Sequence, residues 1–325
     1  MDVGIPDDPS PLKQVFAVGG CILAIKEKGI YAIKLADDID PGRTNPEVPN
    51  AQQRLLAYGT DSLFVRQTLL TAKRLLSPSY LATSVDHDAA LGLAFEFLKH
   101  LAAMQDMASA FVSAESAAKL LDHRSIDGSV MLPSIGDVRT RCESFIQRAD
   151  RSMKSLFGTV KLFYAEPGAK RPWGREGDWF KSLAKLTKRR YGPDDQFSKF
   201  VDAILPFLQS VRNARTCVEH PNATQRMLTT DFAVNPQMQI VAPSIEIEHS
   251  EIRLPATQIS LYMHDAITKL GAVFEKMIAF MCASHAKKDS LLPVQIALLP
   301  EDWQASQHVR YSWGLYDGER VIPAG

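Results

Sequence analysis

The stretch DDQFSKFVDAILPFLQSVRNARTCVEH, residues 194–220, limits the folds open to this chain more than any other. Phe197, Val201, Ile204, Leu208, Val211 and Val218 recur at spacings of three, four or seven, which lays one continuous apolar stripe along a long helix. A stripe of that length has to be covered by other elements, so the segment calls for helical partners. Pro206 is a kink point inside it, and Pro221 ends it.

Partners of the right kind are present. The same 3.6-residue period predicts helices over 61–76, 86–121, 135–156 and 258–285. In the first, the acidic start at Asp61 and the late Lys73 and Arg74 suit the helix dipole. Met104 and Met107 fall at core spacing in the second. β-Prone sequence is short and peripheral. In QVFAVGGCILAIKEKGIYAIKL, residues 14–35, two runs flank KEKG with Gly29 at the turn, which predicts a hairpin, while VGGC fits a turn or bulge. Residues 36–50 read as loop. After Pro221, NATQRMLTTDFAVNP is expected to be irregular, QMQIVA and SIEIEHSEIRL to be strands, and LLPVQIALL with SQHVRYSWGLY to form a terminal β unit joined by PEDWQA. The expected class is mainly α, a helical bundle with small peripheral β elements (α+β). Along the chain this divides into 1–58, an arm and hairpin; 59–287, a helical core with a basic loop and an inserted hairpin; and 288–325, a β extension. With no βαβ rhythm and no glycine-rich phosphate loop, a doubly wound nucleotide fold is not expected.

Lys and Arg number 37 and Asp and Glu also 37, so no global field draws the molecule to nucleic acid and any anion site must be local. The four cysteines, Cys21, Cys142, Cys217 and Cys282, form no CxxC pair, which fits a reducing, cytoplasmic setting without a metal knuckle. No run of eighteen residues is free of charge and the first residues are acidic, so neither a membrane span nor a secretory signal is expected. Charge is concentrated locally instead. Residues 161–190 carry nine basic groups against three acidic ones, interleaved with Phe163, Tyr164, Trp173, Trp179 and Phe180. Within it Lys170, Arg171, Trp173, Arg175, Lys188, Arg189 and Arg190 are candidate RNA contacts, cations for phosphates and a ring for bases. The other account is a solvated basic loop whose tryptophans anchor it to the core.

Arg215 is the anomaly of the 194–220 helix. Eleven residues beyond Ile204, it falls only about 20° from it around the axis, on the apolar stripe itself. A guanidinium there must pair, snorkel or face a cavity. Glu219 at i+4 is a ready partner, and Arg212 with Thr216 forms a second polar i,i+4 pair. His220 lies about 140° from Arg215 on an ideal helix, but it occupies the terminal turn before Pro221, where direction is less constrained. Two accounts stand: a C-terminal cap, or a proton-transferring histidine beside a phosphate-holding arginine.

RTCVEH, Arg215 to His220, resembles the motif of an Arg, four to six residues and a His that marks HEPN (higher-eukaryote-and-prokaryote nucleotide-binding) helical domains. The resemblance implies a helical-bundle HEPN-like core, a homodimer with the Arg-His helices facing each other, and Arg215 and His220 as catalytic residues of a metal-independent RNA endonuclease. Arg212, Asn213, Thr216 and Glu219 would be auxiliary; Asn213 shares a face with His220 seven residues on. It equally implies the alternative, a catalytically inactive HEPN-like protein for macromolecular binding or oligomeric assembly. No cofactor and no metal is implied. Asp86, His87 and Asp88 point apart on a helix and fit its first turn; His264, Asp265 and His285 read as structural; and Ser113, Ser116, His123, Ser125 and Ser129 lack the setting of a hydrolase nucleophile.

Overall fold

The apolar periods become helices of matching length. The computed structural model describes residues 8–119, 131–164, 173, 179–287, 294–316 and 321–323, with long helices at His87–Lys119, Val138–Phe163, Trp179–Tyr191, Gln196–Glu219 and Ile259–Ser284. The chain is mainly helical with small antiparallel sheets, an α+β class. It divides in space into two compact units, one of Met1–Ala102, Ser155–Ala165 and Gly271–Gly325, the other of Ala103–Lys154 and Glu166–Leu270. The expected segments 1–58, 59–287 and 288–325 are by contrast a division along the chain.

In the first unit, strands Gln14–Val18, Cys21–Ile25, Ile30–Lys34 and Ala51–Leu56 pair in chain order as an antiparallel sheet. The KEKG hairpin is present, with Ile25 opposite Ile30 and Lys26 N–H donating to Gly29 O at 2.9 Å. VGGC makes a second turn, in which Gly19 and Gly20 take φ of 55° and 79°, the left-handed values that a tight two-residue hairpin requires. Ala51–Leu56 was not legible as a strand because its side chains are almost all exposed; backbone pairing to Ile30–Lys34 forms it. Over 61–76 the helix is continuous but uneven: Leu63–Val65 and Thr71–Leu75 are α-helical and Arg66–Leu70 is wound as a π-turn. There the Thr71 hydroxyl donates to Arg66 O at 2.8 Å. The C-terminal sheet orders Val294–Leu298, Tyr311–Tyr316 and Val321–Pro323, and PEDWQA, expected as a connection, opens a short helix at Glu301–Gln307. Trp313 locks this sheet down: it is buried, and its indole N–H donates to Leu75 O at 2.8 Å. Phe97 and Phe274 meet in the core with ring centroids 4.5 Å apart.

In the second unit, the Gln196–Glu219 helix starts under an Asp195 cap, whose carboxylate accepts from Phe197 N–H at 2.9 Å, and Pro206 stays inside the helix. A three-stranded sheet orders Arg226–Thr230, Ser244–Glu248 and Arg253–Gln258. The first of these corrects the expected irregular stretch after Pro221. Met227 is buried between exposed Arg226 and Leu228, and Ser244–Glu248 supplies the hydrogen-bonding partner that the local sequence does not reveal. Pro255 is tolerated in Arg253–Gln258 because that strand is an edge. Ala233–Val234 and Ile240–Val241 form a separate two-stranded ribbon. Among the described residues no helix is long and apolar enough to cross a membrane.

Candidate functional site

The Gln196–Glu219 helix places Arg215 and His220 at its C-terminal end. His220 is the cap residue: its backbone N–H donates to Thr216 O at 2.9 Å, its φ and ψ of −133° and 56° have left the helix, and its imidazole is exposed. Arg215, by contrast, is mostly covered, with its side chain 23% exposed. Its Nε stands 2.8 Å from Glu219 Oε1 and 3.3 Å from Oδ2 of Asp150, a buried carboxylate on the Val138–Phe163 helix. Lys154 approaches the same Asp150 at 3.2 Å. The cation on the apolar stripe is therefore satisfied by two carboxylates, which is how a charge survives in a covered position.

The auxiliary residues separate around the helix. Thr216 returns its hydroxyl to Arg212 O at 3.1 Å, a local bond within the helix. Asn213 is buried, and its amide nitrogen closes no hydrogen bond among the described residues, although Glu251 is near enough to feel it. A cavity of about 70 Å³ opens beside Asn213, lined also by Ser210, Ile247, Arg253 and Tyr262; neither Arg215 nor His220 lines it. Glu251 is held below the ordinary carboxylate range, first by the Gln209 amide donating to it, with burial opposing and then the Lys181 charge adding, at 3.7 Å. This small polar cluster was invisible in the sequence, since Gln209 and Glu251 lie 42 residues apart.

The basic segment is only partly brought together. Lys170, Arg171 and Arg175 lie outside the described residues. Lys188, Arg189 and Arg190 form the exposed last turn of the Trp179–Tyr191 helix, where Lys188 pairs with Asp202 at 2.8 Å and the Arg190 guanidinium sits 5.8 Å from the Tyr191 ring. Trp173 is 8% exposed, and Trp179 and Phe180 are buried too, so these rings anchor the segment and Trp173 offers no face for a base in this structure. The anchoring account describes the aromatics, and the charges face outward.

Of the remaining candidates, Asp86, Asp265 and His285 have structural partners, the buried Nδ1 of His87 has none among the described residues, and His123, Ser125 and Ser129 lie outside the described residues. Asp86 accepts from Ala89 N–H at 2.9 Å as a helix cap, Asp265 pairs with Lys269 at 2.7 Å, and His285 Nδ1 lies 2.9 Å from Met281 O with its ring edge-on to Phe163 and Tyr164. No group of three His, Cys, Asp or Glu among the described residues is placed to hold a metal. Burial pushes the Cys142 thiol up to about 12 and raises Cys217 and Cys282 as well, so none of the three is a ready thiolate nucleophile.

No protein-family model matches the chain, and no curated protein or solved structure is significantly similar to it.

Proposed function

We propose that this chain is a catalytically inactive HEPN-like helical protein that works through macromolecular binding or assembly. One observation carries the reading: the guanidinium of Arg215 is already engaged by Glu219 and Asp150. An arginine that stabilises a phosphate during transfer directs its N–H fork at the developing charge. Here two carboxylates stand against Arg215 and Lys154, so the cluster has no net positive charge with which to attract a phosphodiester. His220 then serves as the helix cap.

A surface suited to assembly accompanies it. The Ala233–Val241 ribbon exposes Val234, Met238, Ile240 and Val241, and a two-stranded ribbon with apolar faces in water is marginal unless covered. The nuclease reading keeps one favourable observation, the exposed His220 imidazole five residues beyond Arg215, which a second copy could meet.

Labelled RNAs incubated in EDTA with the wild type and with folded Arg215→Ala and His220→Ala proteins decide between the two. The expected result is no cutting by any of them, with concentration-dependent association in the ultracentrifuge that Met238→Glu weakens. EDTA-resistant cutting lost in both variants overturns the proposal in favour of the Arg-His endonuclease.

A further inference from the structure

The unit that contains the N-terminal sheet holds a cavity of about 590 Å³ whose lining, among the described residues, includes Lys13, Lys73, Arg74, Ser77, Gln307 and His308, and no Asp or Glu. That volume is in the range of small-molecule sites. The cations are held in place by their surroundings. Arg74 Nε donates to Ser312 Oγ at 2.7 Å, which fixes the guanidinium plane, and Lys73 Nζ stands 5.4 Å from the Phe16 ring centroid with no ion pair among the described residues. Lys13 pairs with Glu27 at 2.9 Å. Lys13, Lys73 and Arg74 thus bring three cationic side chains to the lining of one cavity.

The backbone at the cavity is unusual as well. His308 caps the Glu301–Gln307 helix at φ 57°, ψ 25°, a left-handed conformation uncommon for a residue other than glycine and found preferentially at sites of function. The π-turn at Arg66–Leu70 ends in Leu70, a lining residue, and such turns also concentrate at functional sites. Burial, then the charges of Lys13 and Arg66, hold the His308 imidazole below its ordinary pKa, so near neutral pH the ring has one donor and one acceptor to offer.

We infer that this cavity binds a small molecule bearing a phosphate monoester, with Lys13, Lys73 and Arg74 on the dianion and Ser77, Gln307 and His308 on the polar remainder. A phosphate dianion suits a lining with three cationic side chains, and hydroxyl, amide and imidazole groups suit a hydroxylated body such as a sugar. The site is independent of the Arg215 helix.

Calorimetric titration of the full chain tests it with four probes: a hexose phosphate, the same hexose without phosphate, inorganic phosphate and a short single-stranded RNA. The expected result is that the hexose phosphate binds most tightly. Lys73→Met, at an exposed side chain outside the core, should weaken it about ten- to a hundredfold, the scale of one hydrogen bond to a charged group. Equal affinity in wild type and Lys73→Met overturns the site. Equal affinity for inorganic phosphate and the ester overturns the reading of the polar remainder, and binding of the RNA alone moves the surface to nucleic acid and overturns the small-molecule assignment.

Discussion

Asp150 and Arg215, on different helices, meet with Oδ2 3.3 Å from Nε, and the contact settles what an arginine is doing on an apolar stripe. Asp150 is itself buried, so each group supplies the partner that makes the other's burial tolerable. Glu219, one turn along, accepts from the same Nε and also pairs with Nη2.

Removing the arginine leaves Asp150 with Lys154 alone. Arg215→Ala is therefore expected to cost about 2 kcal/mol, below the usual loss for a fully buried pair because the arginine is partly exposed. Asp150→Asn should cost less, since it leaves no unpaired carboxylate. Urea midpoints of the two variants check the order, and an Arg215→Ala protein as stable as the wild type refutes a stabilising role for the pair.

Arg310 and Glu275 make a second, bidentate pair, in which Glu275 is 1% exposed. Arg310→Ala strands that carboxylate, and a loss of about 3 kcal/mol is expected. Glu275→Gln, which keeps the shape and removes the charge, should be milder. Thermal unfolding of both reads the difference; equal losses would mean that packing rather than charge dominates.

Gly59 is packed against the KEKG turn, where Thr60 N–H donates to Lys26 O at 2.9 Å and Asp61 N–H to Glu27 O at 3.2 Å. A Cβ on Gly59 would collide with Lys26 O and come 2.6 Å from the Glu27 carbonyl carbon, both backbone atoms that cannot swing aside. Gly59→Ala should destabilise by about 1–3 kcal/mol. Gly92, where an added Cβ meets nothing within 4 Å, is the control: Gly92→Ala in the His87–Lys119 helix should be neutral or stabilising.

His308 links stability to pH. Its folded pKa lies below the ordinary 6.5, chiefly through burial and then through Lys13 and Arg66, with Glu27 opposing. The unfolded chain thus takes up this proton first as pH falls. The contribution is whole above about pH 6.5 and is lost as pH drops from there through the lower folded value. His308→Asn removes the titration and tolerates the left-handed backbone, so its stability should fall less than that of the wild type between about pH 7.5 and about pH 5.5. Parallel curves in denaturant at the two pH values would exclude His308 as the group responsible.

Much of this architecture can be read from the sequence because helix period is a local property. The stripe from Phe197 through Val211 and the stop before Pro221 depend on neighbours within a few residues, as does the Ile25 to Ile30 hairpin. The same local geometry put Arg215 on the stripe and Glu219 beside it. What stayed illegible lies in partners far along the chain. Ala51–Leu56 and Arg226–Thr230 become strands only because another strand offers its backbone groups; the first exposes nearly every side chain and the second buries only Met227, so neither carries a sustained apolar alternation to announce it. Trp173 reads equally well as a stacking ring or an anchor until its burial is known. Sequence alone determined that an arginine would need an answer at position 215; tertiary structure decided that Asp150 provides it. It also gathered Lys13, Lys73, Arg74 and His308 around one cavity, because contacts between residues hundreds of positions apart are set by packing, not by period.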